Sequence, residues 1–175
     1  MTKTIRAPYR RGRGRCALEY AVGDRIVYPL HGAGVIEGVE QRDVLGRTEE
    51  YYIVRLIVGD MRALIPVSRA DAAGIRPVAD RARIEQALLA SREVVETHAG
   101  YGERFRANNA KLRAGDVEAV AEVVGTLSRR QRQRGLSAGE ARLFEQAWQI
   151  LLSEVALSAR IPPDRADAFL RDSVG

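Results

Sequence analysis

RIVYPLHGAGVIEGVEQRDVLGRTEEYYIVRLIVGDMRALIP, Arg25–Pro66, is the stretch whose reading decides the fold. It holds four short runs rich in β-branched and aromatic residues: Arg25-Ile26-Val27-Tyr28-Pro29-Leu30, Val35-Ile36-Glu37-Gly38-Val39, Tyr51-Tyr52-Ile53-Val54-Arg55-Leu56-Ile57 and Met61-Arg62-Ala63-Leu64-Ile65-Pro66. Such side chains pack well on a pleated surface, and the runs are separated by the turn signals His31-Gly32-Ala33-Gly34, Leu45-Gly46-Arg47 and Gly59-Asp60. A further run surrounds Ile75. The pattern predicts a small antiparallel β-barrel of the SH3 or Tudor type over residues 20–78, with closure limiting its exposed edges.

After Pro77 the hydrophobic period changes from that of strands to that of helices. Asp80 is placed to cap a helix running to Glu96, with Ile84, Leu88 and Val95 on one stripe. A break at Thr97-His98-Ala99-Gly100-Tyr101-Gly102 precedes a short helix, Glu103–Leu112, with Gly115 as its C-terminal cap. Asp116 then caps a third helix whose Val117, Val120, Val124 and Leu127 share a face. Arg129, Arg130, Arg132 and Arg134 crowd its last turns, where cations complement the helix dipole. Ser137-Ala138-Gly139-Glu140 reads as a capping box opening a fourth helix to about Ala159. A terminal helix with Phe169 and Leu170 follows the break at Ile161-Pro162-Pro163-Asp164. Trp148 falls on a stripe with Phe144, Leu151 and Val155 and reads as core. The expected class is α+β: a basic arm (1–19), a β module (20–78) and a compact all-helical module (79–175), with the linker near residues 77–82.

The 175 residues are 46% apolar and 29% charged, enough to build a core, so wholesale disorder is not expected. The formal charge is +5, and all of it lies in residues 1–19, where Lys3, Arg6, Arg10, Arg11, Arg13 and Arg15 face the single acid Glu19. Residues 20–175 sum to zero. The arm reads either as a phosphate-seeking tail or as a loose terminus. Cys16 is the one cysteine, and residues 1–19 lack the apolar stretch of a signal peptide, so a reducing cytoplasm is the expected setting. No apolar run approaches the roughly 18 residues that span a bilayer, and a membrane protein is not expected.

His31-Gly32-Ala33-Gly34 could cradle a phosphate, but such loops open helices, and a strand follows here. A hairpin connection fits better. His31, His98 and Cys16 are scattered, and no spacing among them or the acids resembles a metal site or a nucleophile with its base. Neither an enzyme nor a cofactor is expected. Between Ala99 and Arg142, nine cations (Arg104, Arg106, Lys111, Arg113, Arg129, Arg130, Arg132, Arg134, Arg142) face five acids. That cluster reads as a solvated helix surface or as a nucleic-acid surface. Tyr101, between Gly100 and Gly102, reads either as a staple over a helix junction or as a projecting wedge for a minor groove.

Taken together the chain resembles the CarD/CdnL family of bacterial transcription regulators. The residues that carry the resemblance are Val22-Gly23-Asp24, Val27-Tyr28-Pro29, His31-Gly32, Glu50-Tyr51, Ile65-Pro66-Val67, Arg104-Phe105-Arg106-Ala107-Asn108, Gly115-Asp116-Val117, Ala121-Glu122-Val123-Val124 and Arg134-Gly135-Leu136-Ser137-Ala138-Gly139-Glu140. The resemblance implies a Tudor-like module docking on the lobe of the RNA polymerase β subunit. Arg42 stands at a basic contact position; a second such position falls on Leu64, with Arg62 nearby, a departure that bears on the ion pairing there. It further implies a helical module lying on promoter DNA at the upstream edge of the melted bubble, where family members insert a tryptophan and this chain has Tyr101. Arg104, Arg106, Arg129, Arg130, Arg132, Arg134 and Arg142 would be phosphate contacts. The expected function is a non-enzymatic, monomeric regulator that stabilises the open complex by mostly non-sequence-specific contacts, cytoplasmic and nucleoid-associated through the polymerase. A stand-alone DNA-binding protein and a polymerase adaptor without a DNA role are the other readings.

Overall fold

The computed structural model describes residues 20–44, 46–95 and 100–174. The basic arm with Cys16, and His98, lie outside them. Five strands, β1 (Arg25–Tyr28), β2 (Gly32–Val44), β3 (Arg47–Leu56), β4 (Arg62–Pro66) and β5 (Arg76–Pro77), form an antiparallel sheet in the order β4-β3-β2-β1-β5. β2 runs well past the five residues expected of it. Its long ladder with β3 continues from Gly38↔Ile53 through Asp43↔Thr48, with a bulge between Ile36 and Gly38.

The sheet is not the closed barrel expected from the strand count. β4 and β5 are its two edges, and no ladder joins them. The reason lies in the connection: Pro66 ends β4, the chain turns at once into a 3-10 turn at Val67–Arg69, and β5 has only two residues, one of them Pro77 without an N–H to donate. The class is α+β with an open sheet.

Five helices follow: α1 (Arg81–Glu93), α2 (Tyr101–Ala114), α3 (Val117–Arg134), α4 (Ala138–Ala159) and α5 (Pro163–Val174). The Asp80 carboxylate accepts from Arg83 N at 2.8 Å, as a cap should. Helix α1 stops at Glu93, however, and Val95 is 83% exposed and off the Ile84–Leu88 stripe. Helix α2 is longer than expected at both ends. Asp116 holds the N-cap position of α3, but its side chain makes no capping bond. The capping box at Ser137 and Glu140 is present, and Val117, Val120, Val124 and Leu127 are buried. Trp148 is half-buried rather than core, its Nε1 donating to Asp167 Oδ1 at 2.8 Å, with the Arg171 guanidinium over its ring.

Two apolar clusters result. One, under the sheet, contains Ile26, Ile36, Tyr52, Val54, Leu56, Ile65 and Ile75. The larger one fills the helices, and Val27 and Ala33 of the strands belong to it. Neighbouring residues on a strand face opposite ways, so Ile26 enters the first core and Val27 the second. That explains why β1 reads as a continuous apolar run: it is covered on both sides. The register puts Arg25, Val27, Ala33 and Arg76 on the face toward α4. Gly32, at φ 98°, lies so close that a Cβ there would come within 2.8 Å of Ser153 Oγ, which accepts a bond from Ala33 N at 2.8 Å. A side chain at residue 32 would separate the layers.

Candidate functional site

Two surfaces carry the residues singled out from sequence. The first is the outer face of β2-β3-β4. Arg42 pairs with Glu49, Ile53 with Leu64, and Arg55 with Arg62, so alternation puts Arg42, Leu64 and Arg62 on one face. All three are exposed, Leu64 at 43%. Arg42 bonds Glu40 Oε2 at 3.2 Å. Glu37, next to the buried Ile36 and unpaired at the bulge, faces outward, where its carboxylate accepts from Arg55 Nε at 2.8 Å and Arg62 Nε at 2.9 Å. Desolvation pushes the Glu37 carboxyl up, but the hydrogen bonds and charges of Arg62 and Arg55 outweigh it and hold it low. Exposed pairs of this kind contribute little to stability, so a partner's acids can exchange with them.

The second surface is where the start of α2, the end of α3 and the start of α4 meet. Glu140 gathers them. Buried at the third position of α4, it accepts from the Ser137 hydroxyl at 2.8 Å and from Ser137 N at 3.2 Å. Its Oε1 stands 3.4 Å from both Arg104 Nη2 of α2 and Arg130 Nε of α3. Burial raises the Glu140 pKa, yet the Ser137 bonds, the Arg130 charge and the Arg104 bond bring it below its ordinary value. Glu140 therefore stays ionised and holds the three helix ends together.

On this junction sits Tyr101, the first residue of α2, 49% exposed. Its ring lies 5.9 Å from that of Phe105, and its hydroxyl reaches Gly139 of α4. Tyr101 thus combines the two readings of the sequence: one edge packs across the junction, the other half meets solvent.

The arginines divide. Arg129 caps α1 from outside, donating from Nη1 to Ser91 O and from Nη2 to Val94 O, both at 2.7 Å. Arg104 and Arg130 serve Glu140. Arg132 is exposed but donates from Nη1 to Val174 O at 3.3 Å, at the end of α5. Arg106, Arg134 and Arg142 are exposed, Arg106 bonding only back to Gly102 O of its own helix among the contacts of the described residues. The surface cations near Tyr101 are therefore fewer than the sequence count suggests.

Sequence reading missed a second buried acid. Glu154 is 0% exposed and takes both guanidinium nitrogens of Arg76. The signal was a lone acid inside the apolar run Ile150-Leu151-Leu152-Ser153-Glu154-Val155-Ala156. Among the described residues no group of three or more His, Cys, Asp or Glu could hold a metal, and no helix is long and apolar enough to cross a membrane.

The family description "CarD-like/TRCF RID domain" matches residues 20–79, and "CarD, C-terminal domain" matches residues 86–171. YdeB of Bacillus subtilis (strain 168), named as a candidate transcription factor, is 30% identical over 151 residues, 86% of this chain and 99% of that protein. The solved structure of CdnLNt from Myxococcus xanthus is 30% identical and covers 38% of this chain and 93% of its own, with a TM-score of 0.31. With both halves matched in order, and a relative aligned over nearly its full length, the chain belongs to the CarD/CdnL family.

Proposed function

We propose that this chain is a transcription regulator that docks on the lobe of the RNA polymerase β subunit through its strand module and steadies the promoter open complex through its helical module. In this reading residues 20–78 are the docking unit, residues 79–175 contact DNA, and the protein acts as a monomer in the cytoplasm. Arg42, Arg62 and Leu64 meet the polymerase. Their common face, with two exchangeable cations around an apolar side chain, suits a partner surface that carries acids beside an apolar patch.

The observation that carries the DNA role is Tyr101: an aromatic half in solvent, braced by Phe105 and Gly139 at a junction of helix ends, with Arg106, Arg134 and Arg142 exposed on those helices. A braced aromatic beside cations can enter a minor groove while the cations take phosphates. Arg104, Arg129 and Arg130 support that surface from within and reach DNA only by giving up internal bonds, while the exposed Arg132 would release Val174 O. A factor that binds the open complex better than the closed one shifts the equilibrium by its differential affinity.

The test is capture of RNA polymerase by the full chain and by Arg42→Glu, followed by promoter-opening assays with the same preparations. Capture by the wild type, reduced by Arg42→Glu together with open-complex formation, supports the reading. Tight duplex binding without polymerase makes the chain a stand-alone DNA-binding protein. Capture without any effect on promoter opening makes it an adaptor.

A further inference from the structure

Helix α4 presents one stripe to the strand module, and the stripe is polar where a simple packing face would be apolar. Gln146 Nε2 donates to Leu30 O at 3.1 Å, Ser153 Oγ accepts from Ala33 N, and the Leu157 carbonyl accepts from Arg25 Nη1 at 2.8 Å. At the centre is Glu154. Its Oε1 accepts from Arg76 Nη1 at 2.5 Å and from Ala79 N at 2.9 Å, and its Oε2 accepts from Arg76 Nη2 at 2.8 Å. Arg76 also donates from Nε to Gly115 O at 2.7 Å, in the turn between α2 and α3. Arg76 is 17% exposed at its side chain and Glu154 is wholly buried.

A buried pair of this kind is a weak source of stability, because the desolvation of both charges offsets their attraction. What it supplies is direction. A guanidinium fork seated on a carboxylate makes two parallel N–H···O bonds and so fixes distance and angle together. The fork ties four pieces of chain: β5, the segment before α1, the α2–α3 turn and α4. The stretch expected to be a linker, near residues 77–82, takes part in the tie, since Ala79 N is one of its donors and Val78 N donates to Arg25 O at 3.1 Å.

We infer that the Arg76–Glu154 pair is a positioning element that sets where Tyr101 stands relative to the face bearing Arg42, Arg62 and Leu64. The inference rests on the function proposed above and adds the means by which docking at one surface aims the other. With the angle fixed in advance, docking of the strand module presents Tyr101 to DNA at high effective concentration; a loosened joint dilutes it over many orientations. The pair itself touches neither partner.

The test uses the full chain with the double substitution Arg76→Met/Glu154→Leu, which replaces the charges by apolar groups of similar size and so preserves folding, beside the single substitution Glu154→Gln, which keeps an acceptor for Ala79 N. Spin labels at exposed Ala72 and Gln133, placed in a Cys16→Ser background, read the distance between the modules without polymerase. A narrow distance distribution in the parent that broadens in either variant is expected, together with unchanged polymerase capture and duplex binding and about a tenfold loss of the open-complex lifetime extension. A distribution as narrow as the parent's in both variants, or a full lifetime extension by either, overturns the inference. Unfolding of both variants also overturns it, because the pair would then be a stability element. Failure of the parent chain to capture polymerase would sink the proposed function while leaving the distance result interpretable.

Discussion

The Tyr101 hydroxyl rests against the bare backbone of Gly139, so closely that a Cβ at residue 139 would stand 2.6 Å from it. The same Cβ would be 3.4 Å from the Phe105 ring, an ordinary contact. Only the far end of the tyrosine must yield. The absent side chain thus seats Tyr101, and the start of α4 sets how far the aromatic projects.

Gly139→Ala separates stability from aim. Alanine in the first turn of α4 gains up to about 1 kcal/mol of helix propensity, while the displaced hydroxyl costs little. Thermal unfolding should show a midpoint no lower than the wild type's, and the open complex should nevertheless decay faster. A markedly lowered midpoint would show that the contact is a packing constraint rather than a seat.

Tyr101→Trp installs the larger ring that the family resemblance implies for this position. Aromatic stacking differences of about 0.5–1.5 kcal/mol correspond to roughly two- to tenfold in lifetime, so open complexes should persist longer than with wild type. Competitor-challenge decay measures this, and equal or shorter lifetimes would contradict a wedge limited by ring size.

Arg129 and Arg134 lie five residues apart on α3 and should behave oppositely. Arg129→Ala strips the partners from the Ser91 and Val94 carbonyls and should cost about 1–3 kcal/mol in urea unfolding. Arg134→Ala should leave stability within about 0.5 kcal/mol and lower the salt dependence of DNA binding by about one ion. Equal effects on stability would mean that both arginines are structural.

Glu140 predicts an acid limit. Its carboxyl is held below the ordinary value in the folded chain, so its contribution is present above the unfolded carboxylate range and fades as pH falls through the folded pKa. Glu140→Gln should therefore be clearly less stable than wild type near neutral pH, with the gap closing as pH falls below the ordinary carboxylate range and through the lowered folded value. A gap independent of pH would show that the charge plays no part.

The strands were legible because branched and aromatic runs between glycine turns leave a local mark, and the capping box at Ser137 and Glu140 is likewise local. Barrel closure was not legible, because it depends on whether two distant edges meet, and a two-residue β5 behind Pro66 prevents it. The end of α1 was misjudged for a related reason. The apolar period runs on to Val95, but the carbonyls before it are capped by Arg129, which comes from 35 residues downstream of Val94. In sequence Arg129 looks like one cation among several at a helix end; only the packing of α3 on α1 shows that it points inward. Tyr101 stands out in sequence through its flanking glycines, and the family resemblance favours the wedge, but nothing local reveals that Gly139 braces the ring.

The central claim is that a polymerase-docked chain holds the bubble open through Tyr101. Its most direct test is the decay of promoter open complexes after competitor challenge, with polymerase saturated by wild type or by Tyr101→Ala. The account predicts equal polymerase binding by the two proteins and a lifetime with Tyr101→Ala that falls back toward that of polymerase alone. A lifetime equal to the wild type's, with polymerase binding intact, would contradict it.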